Sequence, residues 1–405
     1  MAVKMEVGTW TGSGSSPQTI TLADGSFGTP IAIRVWSTNK ATVPAAGAFA
    51  AEASMTAGFG TRRGGATQQG CVGCAIADNV GTTAVARVSN AKLAHHFSPG
   101  TSTDYTVALD SFGAQQFTVS YSIAANASGD IFEYEVLGGS DFTDAIVLNW
   151  TMDSTGATEI VTGAGFLPTA AMFLDAGHSG SGSPNSASTS LSFGCATSAT
   201  KFWSVAITAD GGDTTTANMR WNRAVRTDAC LERLESTSET SVGRWDLNSF
   251  DSDGLTLGVI EAPASTVLVA PMLLIKGGVW EAGTFAKSVT AGGGAQAVTL
   301  ANASLTPVGV LLATTNQTAV GIDLGDATMC LGAGSTPHTT RGSAVNNCLG
   351  ITGPEAINTT ADRFRATDAI IEELTGGTSP AETSEAWYRS ASAGAFELEW
   401  ANPNG

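Results

Sequence analysis

The sequence predicts an all-β fold made of three tandem β-sandwich, jelly-roll-like modules of about 140 residues each. Three observations predict it. Short apolar and β-branched runs are separated by clusters of Gly, Ser, Asn and Thr, in a chain with 48 glycines and only 14% charged residues. That is the composition of many short strands and turns rather than of helices. Several of the runs alternate apolar and polar residues with period two, which lines one face of a strand. The same landmarks also return in the same order at nearly constant spacing, and such a repeat decides a fold before any single element does. With 42% hydrophobic residues, the chain has the apolar material for packed cores that a disordered, low-complexity sequence lacks.

The clearest landmark is a proline that opens an apolar run. It occurs at Gly28-Thr29-Pro30-Ile31-Ala32-Ile33-Arg34-Val35-Trp36, at Leu167-Pro168-Thr169-Ala170-Ala171-Met172-Phe173-Leu174 and at Thr306-Pro307-Val308-Gly309-Val310-Leu311-Leu312, so the prolines are 138 and 139 residues apart. Proline has no amide hydrogen for a ladder and is tolerated at the first residue of a strand. Upstream, Thr9-Trp10-Thr11, Asn149-Trp150-Thr151 and Thr284-Phe285-Ala286 each put an aromatic about 20 residues before the proline. Short strands are expected between, at Gln18 to Leu22, Thr158 to Val161 and Gln296 to Leu300. Downstream, Arg226 to Leu234 lies 140 residues before Ala366 to Leu374, with Val88 to Leu93 as the more diverged first copy. Alternating strands follow at Phe117 to Tyr121, Leu255 to Val259 and Phe396 to Trp400.

Copies one and two close on Ile131 to Gly139 and Met272 to Gly278. The modules are therefore 1–140, 141–279 and 280–405. A third closing strand falls beyond Gly405, so the third module is expected to lack it. In the first copy, strands are expected near 5–11, 18–22, 30–37, 55–60, 70–77, 84–97, 105–109, 116–122 and 131–137. Inward positions at 31–35, 117–121 and 131–137 would form the core, with polar alternates facing water. Trp36, Trp150, Trp203, Trp221 and Trp400 read as fillers of cores or module junctions. The junctions Gly139-Ser140-Asp141-Phe142 and Gly278-Val279-Trp280-Glu281 leave almost no linker, so the modules are expected to stack as a semi-rigid rod.

Charge narrows the function classes. A net charge of −17 speaks against nucleic acid and anionic membrane as partners, because both are held by basic patches. The start Met1-Ala2-Val3-Lys4-Met5-Glu6 has no signal-peptide core, and Val267 to Ile275 is shorter than a span and broken by Pro271. Synthesis in a cytoplasm without secretion is expected.

No catalytic, cofactor-binding or metal-ligating residues are assigned, and no cofactor is expected. The four histidines, His95, His96, His178 and His338, form no nucleophile elbow or metal pair, and the His95-His96 pair is expected on a strand with one ring exposed. Cys71 and Cys74 make a lone C-x-x-C without a second pair at zinc spacing, and read as buried thiols. Asp251-Ser252-Asp253-Gly254 opens like a calcium loop, but position 12 is Ala262 rather than a glutamate, so it reads as a turn. The runs Ser179 to Ser183 and Ala291 to Ala295 lack the lysine of a phosphate loop and read as hairpin connections.

The signature of the second copy carries a resemblance. Gly165-Phe166-Leu167-Pro168, Ser192-Phe193-Gly194, Arg220-Trp221 with Asp228-Ala229-Cys230, Ser249-Phe250-Asp251-Ser252-Asp253-Gly254-Leu255-Thr256-Leu257 and Gly277-Gly278 together resemble a module of structural proteins of tailed bacteriophages. Copies one and three depart from the Phe-Asp-x-Asp-Gly turn. The resemblance implies a non-enzymatic virion protein on the particle exterior, tail-associated or capsid-decorating, working with other virion proteins as a symmetric homo-oligomer. A lectin-like protein of the tail that binds host-surface glycan is the alternative, and would expose Trp or Tyr at a module tip. An edge left open in the third module would be completed by a strand from a neighbouring subunit or another virion protein.

Overall fold

The computed structural model describes residues 3–38, 52–77, 85–97, 103–152, 156–177, 188–210, 221–234, 240–263, 268–287, 293–324, 326–353, 362–374 and 382–401. Among them there is no α-helix, only strands, turns and two short 3-10 segments. The fold is all-β, as composition and periodicity predict.

The first stretch contains β1 (Lys4–Thr11), β2 (Gln18–Thr21), β3 (Ala32–Ser37), β4 (Glu52–Arg63), β5 (Ala66–Ala77), β6 (Val85–Ser89), β7 (Ala94–Phe97), β8 (Thr103–Gly113), β9 (Gln116–Tyr121) and β10 (Ile131–Gly138). They form two sheets, ordered β1-β10-β3-β4-β5-β6 and β2-β9-β8-β7. First pairs with last and second with last but one, the wrapped pairing of a jelly roll. The remaining strands pair with their chain neighbours as meanders, and here the topology departs from one.

The second stretch runs through β11 (Phe142–Met152), β12 (Thr158–Thr162), β13 (Ala170–Asp175), β14 (Ser188–Ser198), β15 (Lys201–Asp210), β16 (Trp221–Arg226), β17 (Leu231–Leu234), β18 (Ser241–Asp251), β19 (Gly254–Glu261) and β20 (Leu268–Gly277). Its sheets follow the same order, β11-β20-β13-β14-β15-β16 and β12-β19-β18-β17. The third has β21 (Gly294–Thr299), β22 (Val310–Thr314), β23 (Gly321–Leu324), β24 (Ala327–Thr336), β25 (Val345–Gly353), β26 (Asp362–Ala366), β27 (Ile371–Leu374), β28 (Glu382–Ser392) and β29 (Ala395–Ala401). Its sheets are β22-β24-β25-β26 and β21-β29-β28-β27, while β23 leaves to pair with β16 of the second stretch. Arg223 on β16 and Asp323 on β23 form an ion pair of 2.6 Å across that added edge.

Each small sheet covers one face of the larger sheet beside it, and in the third stretch, where both have four strands, β21-β29-β28-β27 takes the place of the small sheet and β22-β24-β25-β26 that of the larger. Trp10, Ile33, Val35, Phe117, Phe132 and Tyr134 pack in the first such core, Trp150, Phe173, Trp245, Leu255 and Met272 in the second, and Val310, Leu312, Tyr388, Phe396 and Trp400 in the third. The other faces of the three larger sheets meet one another. Phe59 and Trp36 of the first, Phe193 and Leu273 of the second, and Met329, Leu331 and Ile351 of the third belong to one continuous apolar cluster.

This corrects the rod expected from the short junctions: the larger sheets are apolar on both faces and bury the second face against each other. For the same reason β3 and β13 are buried at every residue, rather than alternating with water-facing positions. All five tryptophans read as fillers are buried, Trp150 and Trp203 being the most exposed at 7%. The single strand expected over 84–97 is two, β6 and β7, which lie in different sheets. Thr284 to Ala286 forms no strand.

The crossing from larger to small sheet uses the same device three times. Leu93, Cys230 and Ile370 stand just before β7, β17 and β27, and their amides donate to the carbonyls of Val107, Trp245 and Ala386. Their own carbonyls lie against Gly58, Gly194 and Gly332, where a Cβ would come within 1.9, 1.9 and 1.8 Å of the oxygen. Glycine is required there by close backbone approach. Gly194→Ala is expected to lower unfolding stability by about 2–3 kcal/mol in denaturant titration. Gly25→Ala, in open space, should change it by less than about 0.5 kcal/mol.

Candidate functional site

The residues weighed for chemistry sit in structural roles. His95 and His96 lie on β7 and are both buried, at 7% and 3% exposure, where one exposed ring was expected. Burial lowers both rings from their ordinary value, to about 4 for His95, with Arg87 adding to it, and to about 3 for His96. His96 stacks on Tyr105 with ring centres 4.6 Å apart. His96 packs in the aromatic core against Tyr105 and Phe132, while His95, on the alternate side of the strand, meets Arg87 of β6 at 3.3 Å. Cys71 and Cys74 are free and buried, and burial drives both thiols upward, Cys74 to about 12. Asp251 to Gly254 is the β18–β19 turn: Asp251 accepts from Ser249 and Thr256, and Asp253 from the amides of Gly163 and Gly165. His338 is exposed, and its Nδ1 accepts from the Thr340 amide at 2.9 Å. His178 and Ser179 to Ser183 lie outside the described residues, as do Ala291 and Gly292.

A groove of about 960 Å³ lies beside β22. One bank is the segment Gly278 to Phe285, and the other is Thr306 to Leu312. Val298, Leu300 and Phe396 of the third stretch line it from one side, and Met172, Cys195 and Trp203 of the second from the other. Sequence reasoning named none of these as a site; its only signal was the third closing strand expected beyond Gly405.

The other two stretches show what the groove corresponds to. Pairing places Trp10 opposite Phe132 on β10 and Trp150 opposite Ala270 on β20. β10 then pairs with β3, and β20 with β13. In the third stretch, Phe285 meets Phe396 edge-on at 6.3 Å, as Trp10 meets Phe117 at 5.6 Å. Ala282, three residues earlier, joins the central cluster with Val7 and Val147. The segment 279–285 thus runs along the course of β1 and β11 without a ladder. Between it and β22 lies the position that β10 and β20 hold. Among the described residues, β22 pairs only with β24.

The contacts between stretches repeat around the centre. The Val147 amide donates to Thr61 Oγ1 at 3.1 Å, and the Val7 amide to Ser335 Oγ at 3.2 Å. Thr61, Thr197 and Ser335 each stand three residues after the crossing glycine, and Thr197 lines the groove. Lys201 and Glu281, 2.8 Å apart, seat the first bank on β15.

A strand in this position faces two cores at once. On β10, Phe132, Tyr134 and Val136 point toward the small sheet, and the alternates Glu133, Glu135 and Leu137 point to the centre. Glu135 pairs with Arg34 at 2.7 Å, both nearly inaccessible, and Arg34 lies over Trp36 at 4.3 Å. Glu133 meets Arg365 from β26, joining first and third stretches. On β20 the alternates are all apolar, Pro271, Leu273 and Ile275.

Burial holds the Glu133 carboxyl up at about 7 against the pull of Arg365, compared with an ordinary 4.5. The folded value is the higher one, so this group's contribution to stability is present below about pH 4.5 and lost as pH rises through about 7. Arg365→Met is therefore expected to destabilise by about 3–5 kcal/mol at pH 8, where a buried carboxylate is left unpaired. The loss should be smaller at pH 5, where Glu133 takes a proton. Adding Glu133→Leu should restore most of it at pH 8, as read by denaturant titration at both pH values.

No family model, curated protein or solved structure matches this chain.

Proposed function

We propose that the chain is a non-enzymatic structural protein on the exterior of a tailed-phage virion, tail-associated or capsid-decorating. In this reading the chain is three sandwich-like modules closed around one centre, and it works in a symmetric assembly with other virion proteins. The observation that carries it is the recurrence of one pair of sheets three times about a shared apolar core, the first strand being paired with the last in two of the three. Such an arrangement invests the chain in a rigid body with repeated outer faces rather than in a single polar cleft. The resemblance of the second copy to phage structural modules supports the same reading.

The lectin-like alternative needs aromatic platforms on the surface. All nine tryptophans and four tyrosines fall within the described residues, and each is buried or half-buried. Tyr105, Tyr121, Tyr134 and Tyr388 are all under 7% exposed. The buried rings serve the cores, which favours the structural reading.

Antibody raised against the purified chain is expected to decorate the outside of intact particles in negative-stain microscopy. Label confined to the soluble fraction of lysed cells would overturn the virion assignment. Release of reducing ends from capsular or cell-wall polysaccharide by the purified chain would overturn the non-enzymatic one.

A further inference from the structure

The geometry points to the groove beside β22 as a receptor for one β-strand donated by another polypeptide, apolar on both faces and antiparallel to β22. The inference deepens the assembly reading above and rests on it for the identity of the donor's class, a protein of the same particle. It adds the position, direction and side-chain pattern of the contact.

The first argument is the internal template. In the two equivalent positions a strand of this chain lies between the same two banks, antiparallel on both sides. From the strand ladders, Ile33, Ala171 and Val310 share one register position, as do Val35, Phe173 and Leu312. The edge that β10 and β20 use on β3 and β13 is the edge of β22 that faces the groove. Unpaired strand edges of this length are templates for another chain, and proteins either cover them or use them.

The second argument is the state of the lining. Ile20 and Val161, opposite Phe117 and Leu255 on the small sheets, are both 7% exposed. Val298 has the same place opposite Phe396 and is only half-buried. Trp10 and Trp150 are buried at 5% and 7%, while Phe285 is half-buried. On the rims, Val279 and Val308 are 64% and 47% exposed. Apolar side chains that two modules cover are thus open in the third, and a strand laid along β22 would cover them.

The donor's chemistry follows from the two walls. One set of its alternate residues would meet Phe285, Val298 and Phe396, and the other Met172 and Trp203 of the second stretch with Met5 and Leu137 of the first, where Glu135 is already paired with Arg34. Period-two alternation of apolar with polar residues does not suit such a strand; a continuous apolar run of about five to eight residues does. Leu268 to Gly277 is such a run, and it is the probe of choice. A charged donor strand is disfavoured, because it would carry unpaired charge into the centre.

The test is hydrogen exchange, read by mass spectrometry over residues 306–314 of the whole chain. The probe is a synthetic peptide copying Leu268 to Gly277, carrying lysines at one end for solubility. At saturation the peptide is expected to slow exchange of the Val310 and Leu312 amides, which point away from β24, roughly tenfold or more. A peptide carrying Met272→Asp and Leu274→Asp should leave it unchanged. The whole chain extended after Gly405 by a glycine-serine linker and a second copy of Leu268 to Gly277 should show the same protection without added peptide. No protection from peptide or extension, protection elsewhere only, or Val310 and Leu312 amides already slow in the purified chain would each overturn the proposal. Protection at β22 with no labelling of particles would retain the strand receptor and remove the virion assignment; labelling without protection would do the reverse.

Discussion

The constraint on which the rest of this structure depends is that three sheets must each bury two faces. One face is covered by a small sheet from the same stretch of chain. The other is covered only by the two larger sheets from elsewhere in the sequence, so Phe59, Phe193 and Leu331 share a core although they lie far apart in the chain. Full burial of such a side chain contributes about 1.5–3 kcal/mol. That constraint explains why β13 reads Ala-Ala-Met-Phe-Leu-Asp, an almost unbroken apolar run of the kind found where a sheet is covered on both sides. It also explains the three crossing glycines, because backbone approaching backbone at 1.9 Å from a would-be Cβ leaves no room for any side chain.

One closing strand carries carboxylates into this centre. β10 brings Glu133 and Glu135 inward, each matched by an arginine from a different strand, while β20 brings only apolar residues at the same register. A buried pair of this kind is weak evidence for stability but fixes which strand can sit where, since an apolar substitute on one partner strands a charge on the other. The three junctions are therefore alike in path and unlike in chemistry. The difference at the third is a large open groove that half-buried Val298 and Phe285 line.

Much of this was legible in the residues. The first proline-led strand and the alternation at 116–122 fall on β3 and β9 within a residue or two, while of the matched segments ending in Leu234 and Leu374 only the last four residues are strand, β17 and β27, the residues before them being the crossing between sheets. Local patterning carries that information because each strand's own residues determine its period. The shared centre was not legible: short junctions such as Gly139-Ser140 suit a rod or a ring equally, and only the partner faces decide. The split of 84–97 was missed for a related reason, since Leu93 is apolar and continues the pattern while its chain crosses between sheets. The groove lining was hidden because Met172 and Trp203 become neighbours of Phe285 only after the second and third stretches meet.

If the common centre holds the chain together, scanning calorimetry of the whole protein is the most direct test. The account predicts one endotherm whose calorimetric and van't Hoff enthalpies agree. Three resolved transitions, each with its own two-state enthalpy, would contradict it, because they would mean that each stretch keeps its structure without the faces of the other two.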